Sequence, residues 1–310
     1  MRILIIDQMH ESIVPLLEEK GHRVDYRPEI DREEILAVIA GYEGLVIRSK
    51  TPIDEELLRA APLLQFVARA GAGLDNIDLA YLEANGIALH HAAEGNRDAV
   101  AEHALGMLLA LFNQYQQSDQ QVRRGIWDRE GNRGEELCGK TVGIFGYGNM
   151  GSAFAQRLRG FDVEILAYDK FKTGFGDPWV TECSFDTLQE KADVLSIHVP
   201  LTPDTRYFFS PEVVAGFRKP FYLINTARGE VIRLDTLNEA LENGQLKGAV
   251  LDVLEKEKLH ALTAAERLSF DALTKRTNVL FSPHVAGWTQ ESYRKINQVL
   301  VAKIAGKWKG

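Results

Sequence analysis

Short, nearly all-apolar runs recur along this chain, and amphipathic stretches fill the intervals between them. Arg2–Asp7, Gly44–Arg48, Leu64–Ala70 and Ile87–His90 read as strands, with Arg23–Arg27 extended beside them. The intervals Glu11–Lys20, Arg32–Ala40 (Asp31 as N-cap), Asp54–Ala60 (after Pro52) and Leu79–Asn85 (closed by Gly86) read as helices. A long helical stretch, Asp98–Arg124, is dense in apolar residues at first and thins into a Gln-rich tail; a helix of that length joins two domains or packs a subunit interface. After a polar, irregular Gly125–Gly139 the alternation resumes. Its strands are Thr141–Phe145, Val163–Tyr168, Val194–Val199, Phe221–Asn225, Ala249–Val253 and Val279–Ser282, and its helices include Asp186–Lys191, Pro211–Phe217, Asp235–Asn243 and Ala264–Lys275. Gln290–Lys307 is an amphipathic helix with no strand after it, expected to fold back onto the first domain. Strand–helix alternation in both halves predicts an α/β protein of two doubly wound parallel-sheet domains.

Composition narrows the partners. With 310 residues, 45% hydrophobic and 26% charged, the chain has the make-up of a globular protein of two domains. A net charge of −8 argues against general nucleic-acid binding. No apolar run reaches membrane-spanning length, and the segment through Asp7 is too short for a secretory signal. Cys138 and Cys183 offer neither metal-ligand spacing nor a disulfide framework, so no metal is expected and a reducing cytoplasm is the natural location.

The chemistry enters at Thr141–Gly151, where a strand ends in Gly146-x-Gly148-x-x-Gly151. Gly146 permits the tight turn, Gly148 lets the backbone approach a pyrophosphate, and Gly151 lets helix and strand pack closely. The diphosphate would rest on the helix N-terminus, beside Asn149 and Met150. Asp169, at the end of the next strand, is placed to accept from ribose hydroxyls and to repel a 2′-phosphate. That favours NAD over NADP, against which Lys170 and Lys172 weigh.

Ligands of doubly wound sheets sit beyond the carboxyl ends of strands. Three strand-end loops of the second half carry Arg228, Glu257 and His284. A histidine can take the hydroxyl proton as hydride leaves a secondary alcohol. A carboxylate beside it orients the ring, and an arginine holds a substrate carboxylate bidentately. In the first half, Gly71-Ala72-Gly73 can form a backbone nest for an anion, and Arg48-Ser49 ends another strand. Asn96-Arg97, read as the start of the long helix, adds a further anion contact. His103 reads as interface or core packing.

These pieces, with Arg69–Asp78 and Ser196–Thr205, run in order from about Gly44 to Trp288 and resemble the D-2-hydroxyacid dehydrogenases, in particular the D-3-phosphoglycerate dehydrogenase-like members. The resemblance implies Arg228 as substrate-orienting arginine, Glu257 as the histidine's partner and His284 as acid–base catalyst. It implies a flavodoxin-like substrate domain (1–97 and 286–310) and a Rossmann NAD-binding domain (98–285), with the active site in the cleft, closure about the two crossings, and a homodimer. His198, Val199, Pro200 and Thr205 would line the cofactor with Thr226, Ala227 and Gly287, and Asp252 would contact the nicotinamide carboxamide. Arg48, Ser49, Ala72, Gly73, Asn96 and Arg97 would face the substrate. One departure is that Lys258, not proline, follows Glu257, and a charged helical insertion runs to about Arg276. Glu255 therefore competes with Glu257, which keeps the family spacing from Asp252. The leading expectation is NAD-dependent oxidation of D-3-phosphoglycerate in serine biosynthesis, with no C-terminal regulatory domain. A glyoxylate, hydroxypyruvate or other 2-ketoacid reductase is the alternative within the family, and a non-catalytic NAD-sensing interaction protein the alternative outside it.

Overall fold

The computed structural model describes residues 1–308, which fall into two compact units, Met1–Arg97 with the segment from Trp288, and Asp98–Gly287. Both are α/β, and every strand pair in both sheets is parallel.

The first unit is built on β1 (Arg2–Ile5), α1 (Ile13–Glu18), β2 (Arg23–Tyr26), α2 (Arg32–Val38), β3 (Gly44–Ile47), α3 (Glu55–Arg59), β4 (Phe66–Arg69), α4 (Leu79–Ala84) and β5 (Ala88–His91). The strands pair in the order β2-β1-β3-β4-β5. Strand order reverses between β1 and β3, and such a switch point leaves a crevice at the carboxyl edge. Asp31 caps α2 through a full capping box with Glu34, and Asp54 and Asp78 accept from the first-turn N–H groups of α3 and α4.

A helix, α5, runs Ala93–Phe112, and the unit boundary at Arg97 falls within it. The long helix expected from the apolar pattern is interrupted. Gln114 takes a left-handed φ of 50°, and a separate helix, α6, covers Tyr115–Arg123. The break coincides with a tertiary contact: the Phe112 carbonyl accepts from Glu135 N–H at 3.0 Å, and the chain at Gly134 passes so close that a Cβ there would lie 2.8 Å from that carbonyl oxygen.

The second unit continues with β6 (Thr141–Phe145), α7 (Asn149–Leu158), β7 (Glu164–Tyr168), β8 (Val180–Glu182), α8 (Phe185–Lys191), β9 (Val194–Ile197), α9 (Pro211–Ala215), β10 (Phe221–Asn225), α10 (Leu234–Glu242), β11 (Leu246–Leu251), α11 (Ala264–Thr274) and β12 (Val279–Phe281). Its sheet has seven strands, ordered β12-β11-β10-β9-β6-β7-β8. The added strand β8 is an edge of three residues, too short to show a periodicity. Apolar clusters line the sheet, one built around Phe145, Leu195, Phe209 and Leu251, the other around Leu108, Ile144, Phe154 and Val250.

The last helix, α12 (Gln290–Ile304), belongs to the first unit and packs on α1 and β5. It lies against the start of α5 so closely that a Cβ on Gly95 would come within 2.6 Å of the Ile296 backbone. Lys303 pins the same contact by pairing with Glu94 at 2.8 Å. Among the described residues no helix is long and apolar enough to cross a membrane.

The two glycines of α5 make a matched test. Gly106 has nothing near its missing Cβ, so Gly106→Ala should stabilise by ~0.5–1 kcal/mol through helix propensity. Gly95→Ala should instead destabilise by ~1–3 kcal/mol, because the methyl meets backbone that cannot step aside. Urea denaturation of both variants checks the opposite signs.

Candidate active site

The carboxyl edge of the seven-stranded sheet gathers the predicted residues of the second unit. Gly146 turns at φ +98°, where a Cβ would collide with the His198 carbonyl at 2.8 Å, and a Cβ on Gly151 would lie 2.1 Å from the Gly146 oxygen. Gly148 differs, since a Cβ there would meet no protein atom, and it caps α7 at Asn149 and Met150. The loop thus needs glycine for its own packing at two positions, while the third faces open space at a helix N-terminus, as a diphosphate requires. Asp169 ties this loop to the end of β7, accepting from Tyr147 N–H at 2.8 Å and from Phe171 and Lys172 N–H at 2.9 and 3.0 Å. A carboxylate has about four acceptor positions, so one is left for a ribose hydroxyl. Lys170 is turned away to Asp204 at 2.7 Å, and Lys172 reaches the Tyr147 carbonyl at 3.3 Å.

The loop after β9 is closed by Thr205, whose hydroxyl donates to the Pro200 carbonyl at 2.6 Å and accepts from Thr202 N–H at 2.8 Å. Val199 packs against Gly146. The His198 side chain is buried, with Nε2 2.8 Å from the Ser196 hydroxyl and the ring 5.4 Å from that of Phe154. It faces the interior, not the cofactor loop. Burial lowers its pKa to about 3, so the ring is neutral at physiological pH.

After β10, buried Asn225 accepts from Ala227 N–H at 3.1 Å and donates to the Arg228 carbonyl at 2.9 Å, shaping the turn that presents Arg228. The Thr226 hydroxyl is buried without a hydrogen-bond partner. Such an orphan is costly unless a bound group completes it, and with Gly148 it fits a dinucleotide. A Cβ on Gly229 would lie 1.9 Å from the Leu254 carbonyl carbon, so the loops after β10 and β11 touch there.

The loop after β11 separates its two glutamates. Glu255 accepts from Leu234 N–H at 3.1 Å, at the start of α10. Glu257 Oε1 lies 2.8 Å from His284 Nδ1. The insertion that follows is held by several contacts: Thr263 and Glu266 form a capping box on α11, Lys256 pairs with Glu266 at 2.6 Å, which holds that carboxyl down to about 2, Asn238 donates to the Ser269 carbonyl at 2.8 Å, and Leu273 is buried in the core.

His284 sits in a left-handed conformation, φ 55°, uncommon for a residue with a Cβ. Its N–H donates to the Asp252 carbonyl at 2.7 Å. The Asp252 carboxylate, 1% exposed, accepts from the Ser282 hydroxyl at 2.5 Å and from Val285 and Ala286 N–H, each at 2.9 Å. The resemblance gave Asp252 a contact to the nicotinamide, but its carboxylate is committed to the turn that carries His284. Gly287 ends the unit just beyond that turn.

In the first unit, Arg48 follows β3 at the switch point, and its N–H donates to buried Asp7, which follows β1, at 2.6 Å. Its guanidinium lies 4.1 Å from the Trp288 ring centre and 5.1 Å from that of Tyr293. Among the described residues it meets no carboxylate. Ser49 is exposed beside it. Gly71, at φ +144°, and Ala72 lie in a bend after β4, and Gly73 follows it. Asn96 and Arg97 do not begin α5, because the helix starts at Ala93 with Glu94 in its first turn. That acid already complements the helix N-terminus. Arg97 is exposed, and Asn96 Oδ1 is buried without a partner. Trp288, the aromatic support of Arg48, was not singled out in the sequence; an aromatic right after the histidine loop was its only signal.

The comparisons with known proteins place the chain in a family. Residues 105–286 match the model of the D-isomer specific 2-hydroxyacid dehydrogenase NAD binding domain. The chain is 32% identical over 312 residues to the D-3-phosphoglycerate dehydrogenase of Archaeoglobus fulgidus, spanning 100% of this chain but only 58% of that protein. It is 33% identical over 303 residues to the hydroxypyruvate reductase of Thermotoga maritima, covering 98% and 97% of the two. The D-lactate dehydrogenase from Aquifex aeolicus, solved with NAD and lactic acid, superposes with a TM-score of 0.83 at 26% identity, covering 99% and 96%. The chain belongs to the D-isomer specific 2-hydroxyacid dehydrogenases, and its second unit is their NAD-binding domain.

Buried neutral His198 makes acid stability predictable. Above its ordinary pKa of 6.5 the ring is neutral in both folded and unfolded chains; below it, the unfolded chain binds a proton that the folded one refuses until about 3. Stability should fall as pH drops through this window, this group contributing a slope of at most ~1.4 kcal/mol per pH unit. His198→Gln should flatten the curve in urea titrations, and a curve parallel to wild type would refute the assignment.

Proposed function

We propose that this chain catalyses NAD-dependent hydride transfer on D-2-hydroxy acids, with D-3-phosphoglycerate oxidised to 3-phosphohydroxypyruvate as its reaction. The pairing of His284 Nδ1 with Glu257 Oε1 at 2.8 Å carries the reading. Glu257 accepts from Nδ1–H and orients the ring, which leaves Nε2 to take the hydroxyl proton or return it. Arg228 holds the substrate carboxylate and polarises the adjacent carbonyl. Gly146, Gly148, Gly151, Thr226 and Asp169 hold the dinucleotide, with the loop from Val199 to Thr205 alongside. When bound, the nicotinamide supplies or accepts the hydride. The engagement of Lys170 and Lys172 within the protein supports NAD over NADP.

The phosphorylated substrate is supported by Arg48. Its guanidinium is held against two rings and, among the described residues, is paired with no carboxylate. Ala72, Gly73 and Asn96 are the further substrate contacts of this reading, with Ser49 and Arg97 beside them. Reduction of hydroxypyruvate or glyoxylate is the second reading, favoured because the Thermotoga hydroxypyruvate reductase is matched over 97% of its length.

We further infer a homodimer working in the cytoplasm and feeding serine biosynthesis. The dimer is supported by α6 and the segment after it, which expose Tyr115, Val122, Ile126 and Trp127, the last at 79%. Light scattering should give twice the chain mass, and Trp127→Glu should halve it; a monomeric wild type would remove the dimer.

The enzymatic reading is tested with purified protein on D-3-phosphoglycerate with NAD, and on hydroxypyruvate and glyoxylate with NADH or NADPH. Phosphoglycerate should turn over, and Arg48→Ala should raise its KM by at least about tenfold while leaving glyoxylate unaffected. His284→Ala should keep NADH binding and lose turnover by a factor on the order of 10²–10⁴. Brisk ketoacid reduction without phosphoglycerate turnover establishes the second reading. NADH binding with no turnover of any acid would leave an NAD-responsive interaction protein.

A further inference from the structure

His103 lies on α5, well removed in sequence from the strand-end loops, yet its ring reaches them. Nε2 is 2.9 Å from the Ser282 hydroxyl, which lies 2.5 Å from Asp252 Oδ1. The direct separation from His103 Nε2 to the same carboxylate oxygen is 3.6 Å. Hydrogen-bond directions follow from counting donors. The Asp252 carboxylate takes the Ser282 proton along with the N–H groups of Val285 and Ala286. A serine has one hydrogen to give, so its oxygen must accept from the imidazole, and His103 carries its proton on Nε2. Met107, one turn along α5, places its sulfur 3.3 Å from the same hydroxyl and supplies no proton.

We infer that His103 is a positioning residue for His284. Its Nε2–H fixes the Ser282 hydroxyl, Ser282 and two backbone amides fix the Asp252 carboxylate, and the Asp252 carbonyl fixes the N–H of His284. Each link is short, and the last one holds a residue at φ 55°, a conformation that needs outside support. Without the imidazole proton, Ser282 can rotate away from Asp252, one of the carboxylate's three donors is lost, and the turn is free to relax toward an ordinary backbone. The site would keep its cofactor and lose its alignment. The inference rests on the reading of His284 as the acid–base residue.

Three substitutions separate positioning from packing. The amide nitrogen of Gln stands as many bonds from Cα as His Nε2, whereas that of Asn is one bond short. In the full-length protein, kcat should fall roughly tenfold in His103→Leu and His103→Asn, with KM for the accepted acid and NADH affinity by fluorescence nearly unchanged. His103→Gln should stay within about twofold of wild type. Ser282→Ala should reproduce the Leu variant, and stands in for it should that variant not fold. Hydrogen–deuterium exchange of the peptide spanning residues 282–287 should quicken in the Leu and Asn variants and not in the Gln variant, a readout independent of turnover. Wild-type exchange and kcat in the Leu variant, or a Gln variant as impaired as Leu, would overturn the inference. A wild type inactive on every acid, with the exchange pattern as stated, would overturn the dehydrogenase reading alone.

Discussion

Parallel pairing is the constraint from which the rest of the molecule follows. A strand that must run parallel to its neighbour cannot return through a tight turn, so the connections cross back over the sheet, all but the helix-free loop from β7 to β8 through a helix, and every strand ends at the same edge. In the larger sheet that edge collects the glycine loop after β6, Asp169 after β7, the Thr205-closed loop after β9, Arg228 after β10, Glu257 after β11 and His284 after β12. Residues spread over more than a hundred positions become neighbours because the hydrogen-bond ladder leaves them no other place to go. In the smaller sheet the same constraint puts Asp7 and Arg48 on either side of the switch point, where one hydrogen bond joins them.

Buried polar groups then set the fine geometry. Asn225 and Asp252, each 1% exposed, spend their side chains on backbone N–H and C=O groups of the loops that carry Arg228 and His284. Buried acceptors so satisfied are rigid, because any loosening leaves a polar atom unpaired away from water. Arg228 and His284 are thereby mounted on stiff supports, which suits the alignment that the proposed chemistry requires.

Most of the strands were legible because each is a short apolar run flanked by turn residues, and the glycine loop was legible because its spacing is tied to one backbone path. What the sequence hid has specific causes. The interruption of the long helix at Gln114 coincides with a contact from a segment twenty residues downstream, invisible to local periodicity. The start of α5 at Ala93 was masked by a run lacking strong apolar contrast, which moved Asn96 and Arg97 from the helix end into its body. Spacing from Asp252 favours Glu257 over Glu255 but does not decide between them; the structure does, with Glu257 against His284 and Glu255 on the backbone amide of Leu234. The surroundings of His198, against Ser196 and Phe154, and of His103, against Ser282, were hidden for the same reason, since tertiary packing sets what a ring nitrogen touches.

The charged insertion after Glu257 has a further meaning. Its helix carries its own cap, Lys256 ahead of Glu257 pairs with Glu266, Asn238 of α10 donates to the Ser269 carbonyl at 2.8 Å, and Leu273 is buried in the core of the sheet. Extra chain length here becomes a brace: by sinking Leu273 among the apolar side chains of the sheet and setting Phe270 beside Phe281, the excursion clamps the far side of the loop that bears Glu257.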